Sequence, residues 1–330
     1  MTETIHKAQD NSVKAILAEH ELFAEFLKSF VPVEILNDVS PSDIEDVTER
    51  LISLIAEQKD GDTIKRINLK GKAPLFVIAI VEHESKVNFR TPFKMLLYIA
   101  LILDAYEKEV NKDARISHTK DFKYPPVIPI VFYDGEDEWT AEMNFLHRTE
   151  MSDIFEKYIP KFEYELVSLK NYSFEDLAKF ENIVSLFMMV DKLKTPEAFY
   201  ELGKLPKEQI DNINIPQHLK ELLVKVFTVL LTKIDVPQHE IKNFVEKIDE
   251  RGVSEMIAAG VYSVQETRRV AREEARREVR EEERHRADKA ESHLKFVAKA
   301  LLEKGNTVIE IATMMNMSES DVVDLLPELE

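Results

Sequence analysis

The chain has 330 residues, 44% of them hydrophobic, which is enough for one large domain with appendages or for two domains. It has no cysteine, which excludes disulfides, thiolate catalysis and Cys-built zinc or iron–sulfur sites, and its seven glycines form neither a P-loop nor a dinucleotide fingerprint. A formal net charge of −18 opposes tight non-specific binding to phosphate backbones, and the lack of a long apolar run or a signal-like start leaves a cytoplasmic, membrane-free protein as the expectation.

Residues 10–30, DNSVKAILAEHELFAEFLKSF, predict one amphipathic helix. Asp10 or Ser12 caps it, Val13, Ile16, Leu17, Leu22, Phe23, Phe26, Leu27 and Phe30 form its apolar stripe, and Pro32 stops it. Pro41-Ser42-Asp43-Ile44-Glu45 predicts the start of a second, short helix with acid in its first turn. Leu51 to Ile55 reads either as a strand or as a helix end. Asp60-Gly61-Asp62 is a turn. Residues 63–69 alternate and predict a strand, and Gly71 to Pro74 is the next turn. Leu75 to Val81 is an unbroken apolar run rich in β-branched residues, which predicts a strand covered on both faces. So short a connection makes the two strands an antiparallel hairpin.

Glu82, Glu84 and Lys86 follow with a period of two, on one side of a continuing strand. Carboxylates at the exit of a buried strand have either reached solvent or are paired or metal-bound. Phe93, Leu96, Leu97, Ala100, Leu101, Leu103 and Ala105 then recur at helical spacing and predict a helix over 92–110. Lys94 sits in its first turn, where a cation opposes the helix dipole. It is either a surface lysine or is there for another purpose. Residues 127–132 predict a second buried strand, in which Pro129 points to an edge position or a bulge. Tyr133-Asp134-Gly135 ends it, Trp139 is expected to pack, and 162–169 alternates as a further strand.

From Ser173 onward the pattern is helical. Segments around 175–193, 205–211, 216–234 and 238–250 are separated by Pro196, Pro206, Pro216 and Pro237, and Met188-Met189 reads as core filling. Residues 266–291 hold nine basic and nine acidic side chains without an apolar seam, which predicts a solvated single helix laced by i,i+4 pairs. His285 within it reads as a bystander rather than a metal ligand. Residues 307–326 read as a helix, a turn at Asn316, a cap at Ser318 and a second helix, the spacing of a helix-turn-helix. Glu319, Asp321 and Asp324 on that second helix favour packing or oligomerisation over base reading. The expected organisation is an α/β domain over 1–172, a helical subdomain over 173–261, a charged spacer helix over 262–304 and a small helix-turn-helix-like unit over 305–330.

The hairpin is expected to return Glu82 and Glu84 close to Asp62. Two carboxylates and a backbone carbonyl are hard oxygen donors that suit Mg²⁺ or Mn²⁺. An ion held there lowers the pKa of a bound water and offsets charge on a scissile phosphate, and a nearby lysine stabilises the charge that develops.

In their order and spacing, DNSVK at 10–14, DTIKRINLKG at 62–71, LFVIAIVEHESK at 75–86, TPFKMLLYI at 91–99 and YPPVIPIVFYDG at 124–135 with Trp139 resemble the PD-(D/E)XK nuclease superfamily. More narrowly, they resemble the recombination-promoting nuclease / putative transposase (Rpn, YhgA-like) family. The resemblance covers essentially the whole chain, and its most specific parts are the EHES box and the PPVIPIVFYDG strand. It implies an α/β fold, a restriction-endonuclease-like mixed sheet flanked by helices and followed by an all-helical C-terminal region. It implies a Mg²⁺- or Mn²⁺-dependent DNA endonuclease linked to recombination or mobile elements. Asp62 would be the metal-binding aspartate, Glu82 the second acid and Asp10 an acid brought near the site by the first helix. Glu84 stands where the family usually has glutamine and the superfamily lysine, so Lys86 or Lys94 would supply the cation. Ser168 stands where relatives often have aspartate. Carboxylates crowded in this way raise at least one pKa when metal is absent. DNA is the implied partner, and the acidic C-terminal helices are where self-association is expected. The net charge, Glu84 and the acidic last helix favour an alternative: a nuclease fold serving as a binding or regulatory module.

Overall fold

The structure is a computed structural model that describes residues 12–47, 63–69, 71, 74–82, 87–112, 115–234, 236, 241 and 253–326, with backbone alone at 78–82, 263, 267 and 271. The chain divides into two compact units, residues 1–264 and 265–330. The first is α/β and the second is helical. Among the described residues no helix is long and apolar enough to cross a membrane.

The single helix expected over 10–30 is two helices, α1 at 12–18 and α2 at His20–Phe30. The chain turns extended at Glu19, where φ is −71° and ψ is 122°. The apolar stripe runs through this break unchanged, so hydrophobic spacing could not locate it. Its structural reason lies elsewhere in the fold: the carbonyl of Ala18 accepts a hydrogen bond from Lys65 Nζ at 3.1 Å. The short helix expected from Ser42 is also absent. One 3₁₀ turn forms at Pro41–Asp43, closed by the Ser40 N–H donating to Asp43 Oδ2 at 2.9 Å, and the chain then extends into β1, Ile44–Asp46. Pairing of Ile44 with Ile67 across the sheet overrides the helix-start pattern.

Five strands lie in the order β1-β2-β3-β4-β5. β2 is Thr63–Ile67, β3 Leu75–Glu82, β4 Val127–Tyr133 and β5 Glu165–Ser168. β1, β2 and β3 form an antiparallel meander, with Thr63 opposite Ala79 and Ile67 opposite Leu75. A parallel crossover through helix α3, Thr91–Val110, then sets β4 beside β3, and β5 runs parallel to β4. Pro129 sits on an interior strand, yet β5 begins to pair only at Ile130. The proline therefore occupies a stretch that is locally an edge, where a missing N–H costs no ladder bond on that side.

Alternation buries both faces of the sheet. Leu75, Val77, Ile130, Phe132 and Val167 join one apolar cluster with α1 and α2, where Phe26 meets Phe132 edge-on. Phe76, Val131 and Tyr133 join a second cluster with Ile64 and with Met95, Tyr98 and Ile102 of α3. The first cluster continues into the helices α4 (Phe174–Ala178), α5 (Ile183–Asp191) and α6 (Gln217–Lys233). Met188 and Met189 are buried there, as expected of core filling. Glu25 of α2 joins these layers by a polar route. Its Oε2 accepts the N–H groups of Ile183 and Val184 at 3.2 and 3.3 Å, which satisfies two orphan donors at the start of α5.

The last described helix of the first unit, α7 (Val253–Glu303), runs on into the second. Over 265–303 it is mostly exposed and carries pairs such as Arg269–Glu273 at 2.8 Å and Lys295–Glu291 at 2.7 Å. Pairs this exposed are screened by solvent and contribute little individually. α8 (Val308–Met315) and α9 (Glu319–Leu325) follow, each opened by a reciprocal cap, Thr307 with Glu310 and Ser318 with Asp321. Asn316 adopts the left-handed conformation between them, and Ile311, Ala312 and Val322 pack with Ala298 of α7.

The buried polar groups give two expected outcomes. Lys65→Ala should lower unfolding free energy by about 3 kcal/mol in urea titration, because it opens a cavity where a fully buried side chain packs. An unchanged midpoint would contradict that placement. Burial raises the Glu25 pKa above its usual 4.5, against the lowering effect of the two N–H bonds. Its contribution is therefore full below the unfolded pKa and is lost as pH rises through the folded one. Glu25→Gln keeps an acceptor without the charge, so its stability relative to the parent should improve from pH 4 to pH 7. A parallel pair of pH curves would refute this.

Candidate active site

The sheet brings three chain ends to one place. Because β2 and β3 are antiparallel, the beginning of β2 at Thr63 and the end of β3 at Glu82 lie at the same end of the sheet. β3 and β4 are parallel and paired through Glu82 and Tyr133, so the carboxyl end of β4 is there too, and Ser168 of β5 stands beside Tyr133. Asp62 is the residue immediately before β2 in the sequence.

Helix α3 is oriented to present its first turn at this end. Near its other terminus, Glu109 Oε1 accepts from Arg66 Nη1 at 2.8 Å, and Arg66 also lies over the Phe76 ring at 5.9 Å. Arg66 belongs to the far half of β2, so the helix runs back along the sheet from Lys94 to Glu109. That is about 22 Å at 1.5 Å per residue. Its start is fixed by Asn88, whose carbonyl accepts from both the Thr91 N–H at 3.1 Å and Thr91 Oγ1 at 2.7 Å. Asn88 Oδ1 also accepts from the Arg90 N–H at 3.0 Å. Lys94 stands in the first turn with Nζ 5.8 Å from the centre of the Tyr98 ring. Met95 and Tyr98 anchor that turn in the core beneath it.

Tyr133 closes the floor. Its side chain is fully buried, burial raises its pKa, and among the described residues its hydroxyl has no hydrogen-bond partner. Trp139 packs edge-on against it at 5.0 Å and donates from Nε1 to Tyr164 at 2.9 Å, which is the packing role its sequence position indicated. Gly135 passes directly over the Tyr133 ring, and a Cβ there would lie 2.2 Å from the hydroxyl oxygen.

Of the residues singled out in the sequence, Glu82 ends β3 at the converging edge and Lys94 opens α3. Asp10, Asp62, Glu84 and Lys86 lie outside the described residues. Among the described residues no three His, Asp or Glu side chains gather into a metal-holding group. Asp62, Glu82 and Glu84, next to β2 and β3 in the sequence, carry carboxylate oxygens, and His83 between the last two adds an imidazole. The carboxylate oxygens fit a hard divalent ion. Lys65 went unremarked in the sequence. Its side chain is 0% exposed, and its Nζ donates to Asp46 Oδ2 at 2.7 Å and to the Ala18 carbonyl, with the Phe23 ring 5.9 Å away. The available signal was its phase: Thr63, Lys65 and Ile67 share one face of β2, and all three are buried.

One family model, described as "Putative transposase, YhgA-like", matches residues 7–220. No curated protein and no solved structure matches the chain.

The tight approach at Gly135 yields an expected outcome. Gly135→Ala should cost about 2 kcal/mol of stability, because a fully buried Tyr133 cannot swing clear of the new methyl group. Thermal unfolding measures this, and a melting temperature within about 1 °C of the parent would refute the contact.

Proposed function

The chain belongs to the YhgA-like family of putative transposases, and from that membership we propose that it is a metal-dependent DNA endonuclease acting in recombination or mobile-element movement. The observation that carries the reading is the convergence at one sheet edge of the start of β2, the end of β3 and the first turn of α3. Such an edge is where acids flanking β2 and β3, and a lysine on the following helix, can meet one phosphodiester.

In this reading Asp62 and Glu82 would hold Mg²⁺ or Mn²⁺, and Glu84 and Asp10 would offer further oxygens. When bound, the ion supplies an activated water and offsets charge on the phosphate. The chain's own cations do the rest. Lys86 and Lys94 stabilise the negative charge that grows on the phosphate as water adds to phosphorus and the P–O bond to the leaving sugar breaks. Lys94 is suited to this because Asn88 and Thr91 fix its turn and the Tyr98 ring lies 5.8 Å from its Nζ. Glu84 cannot be the cation, so the lysine role passes to its neighbours. The C-terminal unit is assigned to self-association. Phe296, Ile309 and Met314 are exposed on it, with Phe296 at 72%. Its acidic last helix is a poor partner for DNA.

Supercoiled plasmid incubated with Mg²⁺ or Mn²⁺ tests the assignment. The parent protein should nick and linearise it, Asp62→Ala and Glu82→Ala should abolish cleavage, and Lys94→Ala should slow it on the order of 100-fold. Cleavage surviving intact in both acid variants would sink the site. A parent that never cleaves would favour the reading as a nuclease fold kept for binding or regulation.

A further inference from the structure

A cleft of about 360 Å³ opens beyond the carboxyl ends of β4 and β5. Its floor is apolar, made by Leu169 after β5, Phe174 of α4 and Ala198. Lys192 and Lys194, in the turn after α5, line the cleft as well. Ligands of open α/β sheets gather outside the carboxyl ends of parallel strands, and a volume of this size holds a mononucleotide. Among the described residues Lys94 does not line the cleft, and the binding test below needs no metal.

The charges of the cleft are unevenly balanced. Lys170 at its edge is paired with Glu138 at 2.7 Å. Lys192 Nζ donates to the Leu169 carbonyl at 3.3 Å, a neutral partner. Burial first, and Lys194 second, push its pKa below the usual lysine value. Lys233 nearby is shifted the same way by burial and by Lys194, against Asp191, Asp134 and Glu136, which raise it. An anion between Lys192 and Lys194 relieves their repulsion. Asp134 and Glu136 also line the cleft. They disfavour a bare polyanion and favour a ligand that brings N–H donors along with its phosphate.

We infer that this cleft binds a nucleoside monophosphate unit, with the phosphate on Lys192 and Lys194 and the base against Leu169, Phe174 and Ala198. The same chemistry is offered by a free nucleotide and by the terminal nucleotide of a DNA strand.

Calorimetric titration of the full chain, without metal, against the four 5′-deoxynucleoside monophosphates and against inorganic phosphate tests the inference. At least one nucleotide should bind at millimolar concentration or below, and phosphate should bind at least about tenfold more weakly. Lys194→Glu, an exposed change that leaves the core untouched, should weaken nucleotide binding about tenfold or more. Phe174→Ala should weaken it as well. Displacement of bound nucleotide by a 5′-phosphorylated oligonucleotide would assign the cleft to a strand end, and a failure to displace would assign it to the free nucleotide. Absence of nucleotide binding, equal affinity for phosphate, or an unchanged Lys194→Glu protein would each overturn the proposal.

Discussion

A single buried ammonium group ties the first half of this fold together. Lys65 projects from β2 into a region without solvent, where its charge is tolerated only because Asp46 of β1 and the Ala18 carbonyl of α1 meet it. An ion taken out of water without such partners costs several kcal/mol. The need to satisfy this one group therefore bears on three elements at once. It accounts for the interruption between α1 and α2, which frees a carbonyl that a continuous helix would have consumed. It favours β1 as a strand at the position where Asp46 can reach. It also holds the helices that cover one sheet face at a fixed height over β2.

With that corner fixed, the remaining geometry is set by alternation and chirality. β3 and β4 alternate their side chains between two apolar clusters, so a one-residue slip would send Phe76 and Val131 into the wrong layer. The register is thereby strongly specified. It is this register that sets Glu82 beside Tyr133 and leaves Asp134 and Gly135 just beyond it. The short connection from Glu82 to Thr91 starts α3 at the strand exits, and the ion pair between Arg66 and Glu109 helps hold its other end against the sheet. The chemistry proposed for that edge is thus a consequence of packing far from it.

The elements that announced themselves in the sequence are those whose burial is written in their own residues. Leu75 to Val81 could be read as a two-sided strand because every position is apolar, and α3 because its apolar residues recur at helical spacing. Ile44–Asp46 could not, because three residues carry too little pattern and their pairing with 65–67 is decided across the sheet. The break at Glu19 was hidden for a related reason: its cause, Lys65, lies 47 residues from the carbonyl it meets. Lysine in an alternating strand reads by type as solvent-facing, and only its phase with Thr63 and Ile67 points the other way. The acids of the candidate site were legible as residue types at telling positions, and the fold supplies the edge they flank. The lysine cleft was not legible at all. Leu169, Phe174, Lys192 and Lys194 belong to separate segments that only the fold brings around one cavity.

The proposed chemistry stands or falls on whether the acids flanking β2 and β3 form one divalent-metal site. Calorimetric titration of Mn²⁺ into the parent protein and into Asp62→Asn tests this without reference to catalysis. Saturable binding at millimolar or lower Mn²⁺ is expected in the parent and its loss in the variant, with both proteins equally folded by circular dichroism. Absence of binding in the parent, or equal binding in the two, would contradict the site.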